Sequence, residues 1–229
     1  MELGEIALYS NQLTGTISVE VGKLTSLKTL SLHGNQLTGS IPAEVGRLTT
    51  LALFYLYHNQ LTGTIPGEMG QLTALELLSL YGNHLTGTIP LEVGRLTALE
   101  LLYLYNNQLT GTIPGEMGQL ISLEILSSYN NQLTGTVPDS IGHLQSMDEV
   151  QLQDNLFGGT LPATMSSMAK LKLLFLQNNL LTGHVNAAFN HSTQLELTTI
   201  DISDNRLTGS LSAEMFLLPQ LQVLSLSGA

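Results

Sequence analysis

The chain has 229 residues, a net charge of −11, only 11% charged residues and no cysteine. Seven Lys and Arg scattered along an acidic chain supply no basic footprint for phosphates, so nucleic acid is excluded as a partner. Without cysteine there is no disulfide framework and no thiol chemistry, and no run of 18 apolar residues encodes a membrane span. What the chain does have is a period. Asn11, Asn35, Asn59, Asn83, Asn107, Asn131, Asn155 and Asn179 follow at steps of 24 residues, and Asn205 follows after 26. Such a period builds a solenoid, in which each repeat buries its apolar face only against its neighbours. Solenoids present long open surfaces rather than closed catalytic pockets.

Within each repeat the first element is a strand. Five positions before the asparagine stand Ile6, Leu30, Phe54, Leu78, Leu102, Leu126, Val150, Leu174 and Ile200. Three before it the column runs from Leu8 and Leu32 to Leu176 and Ile202, and only Ser128 is polar. Positions two apart point to one side of an extended segment, so these columns face the core and their neighbours face out. Equal steps then stack the strands in parallel register. Ser128 should either bond to nearby backbone or leave slack packing beside Leu104 and Leu152. The asparagine comes next, where an amide that both donates and accepts can satisfy backbone groups left open as the strand turns away. Beyond it, Gly15, Gly39, Gly63, Gly87, Gly111, Gly135 and Gly159 mark turns, and an apolar column from Ile17 and Ile41 to Leu211 continues the core.

The segment Leu37-Thr38-Gly39-Ser40-Ile41-Pro42 recurs at residues 61–66, 85–90 and 109–114. In this LTGxIP marker, and in a template covering essentially the whole chain, the sequence resembles the plant-type leucine-rich repeat. The resemblance implies an α/β solenoid, a horseshoe or superhelix with a parallel sheet on its concave side. It implies short 3-10 helical turns on the convex side and a small second sheet near the LTGxIP segment. That family includes receptor-kinase ectodomains and cell-wall inhibitor proteins, which bind proteins or peptides and catalyse nothing through the repeats. Its extracellular members usually carry cysteine-stapled caps, which this chain lacks. Residues 1–229 read as a single solenoid of about nine 24-residue repeats plus the start of a tenth. The chain opens inside the strand template, with no signal peptide before it, and Ala229 stands where a tenth asparagine would fall. It is therefore expected to be a fragment lacking both caps. An extracellular or cell-surface location follows from the resemblance, and the missing signal peptide and caps weaken it.

All seven tyrosines lie two or four residues before an asparagine, on outward strand positions. Strands about 4.8 Å apart would stack Tyr81, Tyr105 and Tyr129 into an exposed ladder beside Tyr57, flanked by Tyr55, Tyr103 and Phe175. Tyrosine combines apolar area with a hydrogen-bonding tip, which suits recognition. Beside it runs an acidic row of Glu76, Glu100, Glu124 and Asp148, bracketed by Lys28 and Lys172. Like charges at repeat spacing repel unless solvated or met by a cationic partner. On the opposite face Glu20–Lys23, Glu44–Arg47 and Glu92–Arg95 are spaced to meet across one helical turn.

The six histidines form no metal-ligand set, and no cofactor is implied. Nothing gives the carboxylates a pocket that would pull their pKa values apart for acid–base work. Residues 59–72 and 107–120 are identical, which points to duplication of repeats within the chain. Past Asn131 the pattern loosens, and residues 184–195 hold the two extra residues and a glycosylation sequon at Asn190. That segment should bulge from the convex or lateral side and leave the strands in register. The sequence thus describes a non-enzymatic recognition solenoid, with Tyr55, Tyr57, Tyr81, Tyr103, Tyr105, Tyr129, Phe175, Glu100 and Glu124 as its contact surface. A structural or scaffolding subunit of a larger assembly is the alternative. Ice binding through the recurrent Thr-x-Thr pair, as at Thr14 and Thr16, is a minor one.

Overall fold

A computed structural model describes residues 3–228. Ala229, and with it the place of a tenth asparagine, lies outside the described residues, as do Met1 and Glu2. Ten three-residue strands, from Glu5–Ala7 to Val223–Ser225, form one parallel sheet in sequence order. The register follows the sequence period: Leu30 pairs with Phe54, Phe54 with Leu78, and Leu78 with Leu102. Where the period stretches to 26 residues the sheet does not break, and Leu174 pairs with Ile200.

The strands are short because the chain turns away at every asparagine. The residue just before it adopts a left-handed backbone, as at Asn106, Asn130 and Asp154 with φ of 54°, 51° and 55°. Asn and Asp tolerate this conformation, and Gly34 and Gly82 take it without strain. The asparagine then bridges two repeats. Nδ2 of Asn59 donates to the carbonyls of Leu56 (3.0 Å) and of Leu32 one repeat back (3.0 Å). Its Oδ1 accepts the backbone N–H of Leu37 at 3.0 Å. The Leu37 N–H is thereby satisfied, each carbonyl is shared between the asparagines of adjacent repeats, and the pattern recurs from Asn35 to Asn205.

Beyond the asparagine the second sheet appears in two pieces. Thr14–Thr16 pairs with Gln36–Thr38, and Gly158–Gly159, Leu180–Gly183 and Arg206–Leu207 form the other. Backbone bonds such as Thr86 N–H to the Gly63 carbonyl, 2.8 Å, continue the line between them. The proline of the LTGxIP segment then caps a 3-10 turn. Pro66, Pro90 and Pro114 sit at φ of −68°, −65° and −62°, the angle their rings impose. The turns Ala43–Arg47, Gly67–Gln71, Leu91–Arg95 and Gly115–Gln119 stack along the convex side. Of the three charge pairs expected there, Glu20–Lys23 forms. Among the described residues Glu44–Arg47 and Glu92–Arg95 do not. The Glu92 side chain instead lies over Gly67 of the preceding repeat, away from Arg95. Glycine leaves room for it, and an exposed pair would return less than about 1 kcal/mol.

Leucine columns fill the space between sheet and turns, with Leu56, Leu61, Leu72, Leu75 and their counterparts wholly buried. Ser128 is also wholly buried, and its Oγ has no partner. Ser128→Leu is accordingly expected to stabilise the chain. It removes an unpaired buried hydroxyl, worth ~1–3 kcal/mol, and restores the side chain that Leu104 and Leu152 carry at equivalent positions. Thermal unfolding should shift up by a few degrees, about 2–4 °C per kcal/mol. A fall in melting temperature would show that the site has closed around the serine.

The two extra residues are absorbed between Asn186–Ala188, a shortened 3-10 turn, and the strand Thr199–Asp201. Gln194, fully buried, holds that loop together. Its Nε2 donates to the Met165 carbonyl at 3.0 Å, and its Oε1 accepts the Asn190 N–H at 2.9 Å. The loop packs on the turn side, against Ala163–Ser167, as an insertion that cannot enter a stacked sheet must.

Candidate functional site

Three side-chain columns face outward from the strands and form the concave surface. Nearest the asparagines is a continuous ring stack. Tyr9, His33, Tyr57, Tyr81, Tyr105 and Tyr129 lie face to face, with centroids 4.7, 4.2, 4.5, 4.2 and 4.4 Å apart. Their planes are within 17° of parallel. Residues at one position on adjacent parallel strands are held a strand spacing apart, and that spacing coincides with aromatic stacking distance. The ladder expected over Tyr81, Tyr105 and Tyr129 is thus two rings longer than the tyrosine column beside Tyr57 suggests, because His33 joins it to Tyr9. Each ring is half-buried by its neighbours from Tyr57 to Tyr129, where free exposure was expected. The faces are spent on one another, and the edges and hydroxyls meet solvent.

Burial, followed by a hydrogen bond with Tyr81, pushes the Tyr105 hydroxyl far above its ordinary range. Burial raises Tyr57, Tyr103 and Tyr129 as well, so these hydroxyls are neutral through the physiological range. Burial, with His58 nearby, lowers His33, and its Nδ1 has no partner. Both causes disfavour the charged imidazolium.

In the second column, two residues upstream, serine and tyrosine alternate: Ser31, Tyr55, Ser79, Tyr103, Ser127. Tyr55 and Tyr103 stand edge-on to the ladder, at 81° to Tyr57 and 90° to Tyr105. Between them, over Ser79 and Leu77, lies a notch of about 340 Å³ whose far wall is Tyr57, Tyr81 and Tyr105. Phe175 belongs to this column but lies three strands past Tyr103, beyond Ser127 and Gln151. Among the described residues it makes no ring contact, so it does not flank the ladder as expected. Ser127 is covered there by Gln151, whose Oε1 accepts its hydroxyl at 2.6 Å.

The third column, Leu53, Leu77, Leu101 and Ile125, is half-buried and apolar. Sequence reasoning missed it, although the alternation that placed the tyrosines outward continues to these positions. Along the border beyond it, Glu76, Glu100 and Glu124 are exposed and have no ion-pair partner among the described residues. Lys172 closes the row at its far end, 2.8 Å from Asp148 and 3.7 Å from Glu196. Asn190 sits half-buried in the insertion loop, its Oδ1 accepting the Ser192 N–H at 2.9 Å.

Elsewhere the surface has less chemistry. A cleft of about 750 Å³ is a wide depression on the LTGxIP side lined by Thr64, Pro90, Leu91 and Pro114. The paired threonines of that side are exposed at Thr62 and Thr64, and again at Thr86 and Thr88. Hydroxyls of Thr38, Thr86, Thr110 and Thr134 donate to glycine carbonyls one repeat back, at 3.2–3.3 Å. No group of three or more His, Asp and Glu is placed to hold a metal ion among the described residues, and none of their helices is long and apolar enough to cross a membrane.

Models of the leucine-rich repeat match residues 25–85, 98–120, 122–144 and 196–218. The chain belongs to the leucine-rich repeat family. Its likeness among solved structures is to plant members. It is 32% identical to a plant peptide hormone receptor, RGFR1, solved with RGF2, at a TM-score of 0.90, covering 98% of this chain and 39% of that one. It is 34% identical to the Arabidopsis receptor kinase HAESA, solved with the peptide hormone IDA and the co-receptor SERK1. There the TM-score is 0.90 and the coverage 97% and 37%. A plant ice-binding protein is 28% identical at a TM-score of 0.71, covering 98% of this chain and 81% of that one. No curated protein sequence matches the chain. This leucine-rich repeat chain therefore spans under two fifths of the length of these two receptors.

Proposed function

We propose that this leucine-rich repeat chain is a non-enzymatic recognition module that binds a protein or peptide through its concave face. The observation that carries the reading is the apolar strip of Leu53, Leu77, Leu101 and Ile125 beside a stacked aromatic ladder on an open sheet. Such area with hydroxyl tips is the composition of interface cores. Peptide binding by the plant receptors RGFR1 and HAESA supports it. An extracellular or cell-surface setting goes with it, where the sequon at Asn190 would be open to glycosylation. The contact residues are Tyr55, Tyr57, Tyr81, Tyr103, Tyr105 and Tyr129, with Glu100 and Glu124 tuning association rate and salt dependence. Phe175 would act as an outlying contact.

The test is to select binders from a displayed random-peptide library and measure them against Tyr81→Ala/Tyr105→Ala/Tyr129→Ala. Central aromatic anchors typically cost ~2 kcal/mol or more when truncated, roughly a thirty-fold loss of affinity. The fold should survive, because these rings point away from the leucine core. Unchanged affinity in the triple variant would reject the concave face and favour a scaffold held through other surfaces.

One observation favours a second reading. Exposed Thr-x-Thr pairs recur at repeat spacing on the LTGxIP side, and a plant ice-binding protein shares the fold. Thermal hysteresis that disappears on replacing Thr64, Thr88 and Thr112 with bulky residues would establish it. A chain without hysteresis is not an ice binder.

A further inference from the structure

The serine–tyrosine alternation gives the concave face a second period, twice that of the fold. Tyr55 and Tyr103 rise as teeth two strands apart with a gap over Ser79 between them and a second serine, Ser31, on the other side of Tyr55, while Gln151 covers Ser127. With strands about 4.8 Å apart, the gaps repeat every ~9.5 Å. An extended β segment crossing the strands presents same-side residues every ~6.8 Å, and a helical turn advances 5.4 Å, so neither stays in phase. A polyproline II segment advances ~3.1 Å per residue with three residues per turn, or ~9.3 Å, and does. Its backbone carbonyls have no internal partners, and the hydroxyl edges of the ladder line one wall of the groove. Aromatic-lined grooves are a general way of holding such segments.

Charge selects further. Beyond the leucine column opposite the ladder runs the exposed row of Glu76, Glu100 and Glu124, without counter-ions among the described residues. An occupant that fills the gaps with one residue per turn turns another toward that row.

Building on the concave-face reading above, we propose that this groove docks a basic, proline-rich segment held as a polyproline II helix. The segment crosses the strands from Ser31 to Ser79 at one turn per two repeats. Proline rings seat in the gaps, most fully in the notch over Ser79, and arginines face the glutamate row.

Isothermal titration with a peptide of three Pro-Pro-Arg triplets tests this against Gly-Ser-Arg and Pro-Pro-Glu peptides of equal length. The Pro-Pro-Arg peptide should bind at least tenfold more tightly than Gly-Ser-Arg, which carries the same charge without the preorganised backbone. The Pro-Pro-Glu peptide should not bind. Ser79→Tyr, which fills the notch with the residue its neighbours carry, should weaken Pro-Pro-Arg at least tenfold at an unchanged melting temperature. Should Ser79→Tyr misfold, Tyr103→Ser, which removes one tooth, should give the same loss. Equal binding of the two basic peptides, or indifference to both variants, overturns the proposal. Library peptides that depend on Tyr81, Tyr105 and Tyr129 yet are neither proline-rich nor basic overturn it too, and leave the recognition face standing.

Discussion

Replacing Asn83 with alanine is expected to destabilise the chain by ~1–3 kcal/mol, although it removes only a small polar group. Nδ2 of Asn83 donates to the Leu56 carbonyl at 3.1 Å and the Leu80 carbonyl at 3.0 Å, and Oδ1 accepts the Leu61 N–H at 3.0 Å. All lie in the buried interior, but the Leu56 and Leu80 carbonyls each keep a second bond, from Nδ2 of Asn59 and of Asn107, so truncation strips only the Leu61 N–H of its partner. An unsatisfied buried group costs ~1–3 kcal/mol. Asn83→Asp should do no better, because a carboxylate facing two carbonyls has nothing to donate. Chemical denaturation of the variants measures the effect. A loss below about 1 kcal/mol would mean that the Leu61 N–H finds another partner.

A single methyl group on the convex side should be nearly as disruptive. A Cβ built on Gly94 would lie 2.5 Å from the carbonyl oxygen of Glu116 and 2.7 Å from its Cβ. The same close approach to the next repeat's backbone carbonyl recurs at Gly22, Gly46 and Gly70. Gly94→Ala must push the Leu91–Arg95 and Gly115–Gln119 turns apart, and overpacking of this kind costs ~1–3 kcal/mol or more. Gly115→Ala is the control. Nothing lies within 4 Å of its added Cβ and its φ is not positive, so it should be neutral or slightly stabilising, by up to about 1 kcal/mol. If both variants unfold alike, close approach is not why glycine stands at position 94.

The architecture was legible because every determinant of it is periodic. The Leu30 and Leu32 columns give the strand and its buried side, and the step between asparagines gives the register that Leu30 and Phe54 adopt. The outward tyrosines followed from the same alternation. What it does not give is how a side chain turns about its own bonds. The coplanarity that draws His33 between Tyr9 and Tyr57 depends on ring rotation, and a histidine among tyrosines reads in sequence as an interruption. Phe175 shows the opposite error. Position in a column places it on the correct face, but adjacency requires occupied strands between, and Ser127 and Gln151 interrupt them. The Glu92–Arg95 spacing was read for a helical turn in isolation, whereas the space above Gly67 belongs to the preceding repeat.

The chain contains no tryptophan, and each of its seven tyrosines stands on the concave face. Its intrinsic ultraviolet emission and its near-ultraviolet circular dichroism therefore arise almost wholly from that one surface. Rings stacked 4.2–4.5 Å apart from Tyr57 to Tyr129 couple their transitions, so the signal reports their mutual alignment rather than the leucine interior. The protein carries an unlabelled optical probe at the place where a ligand would arrive.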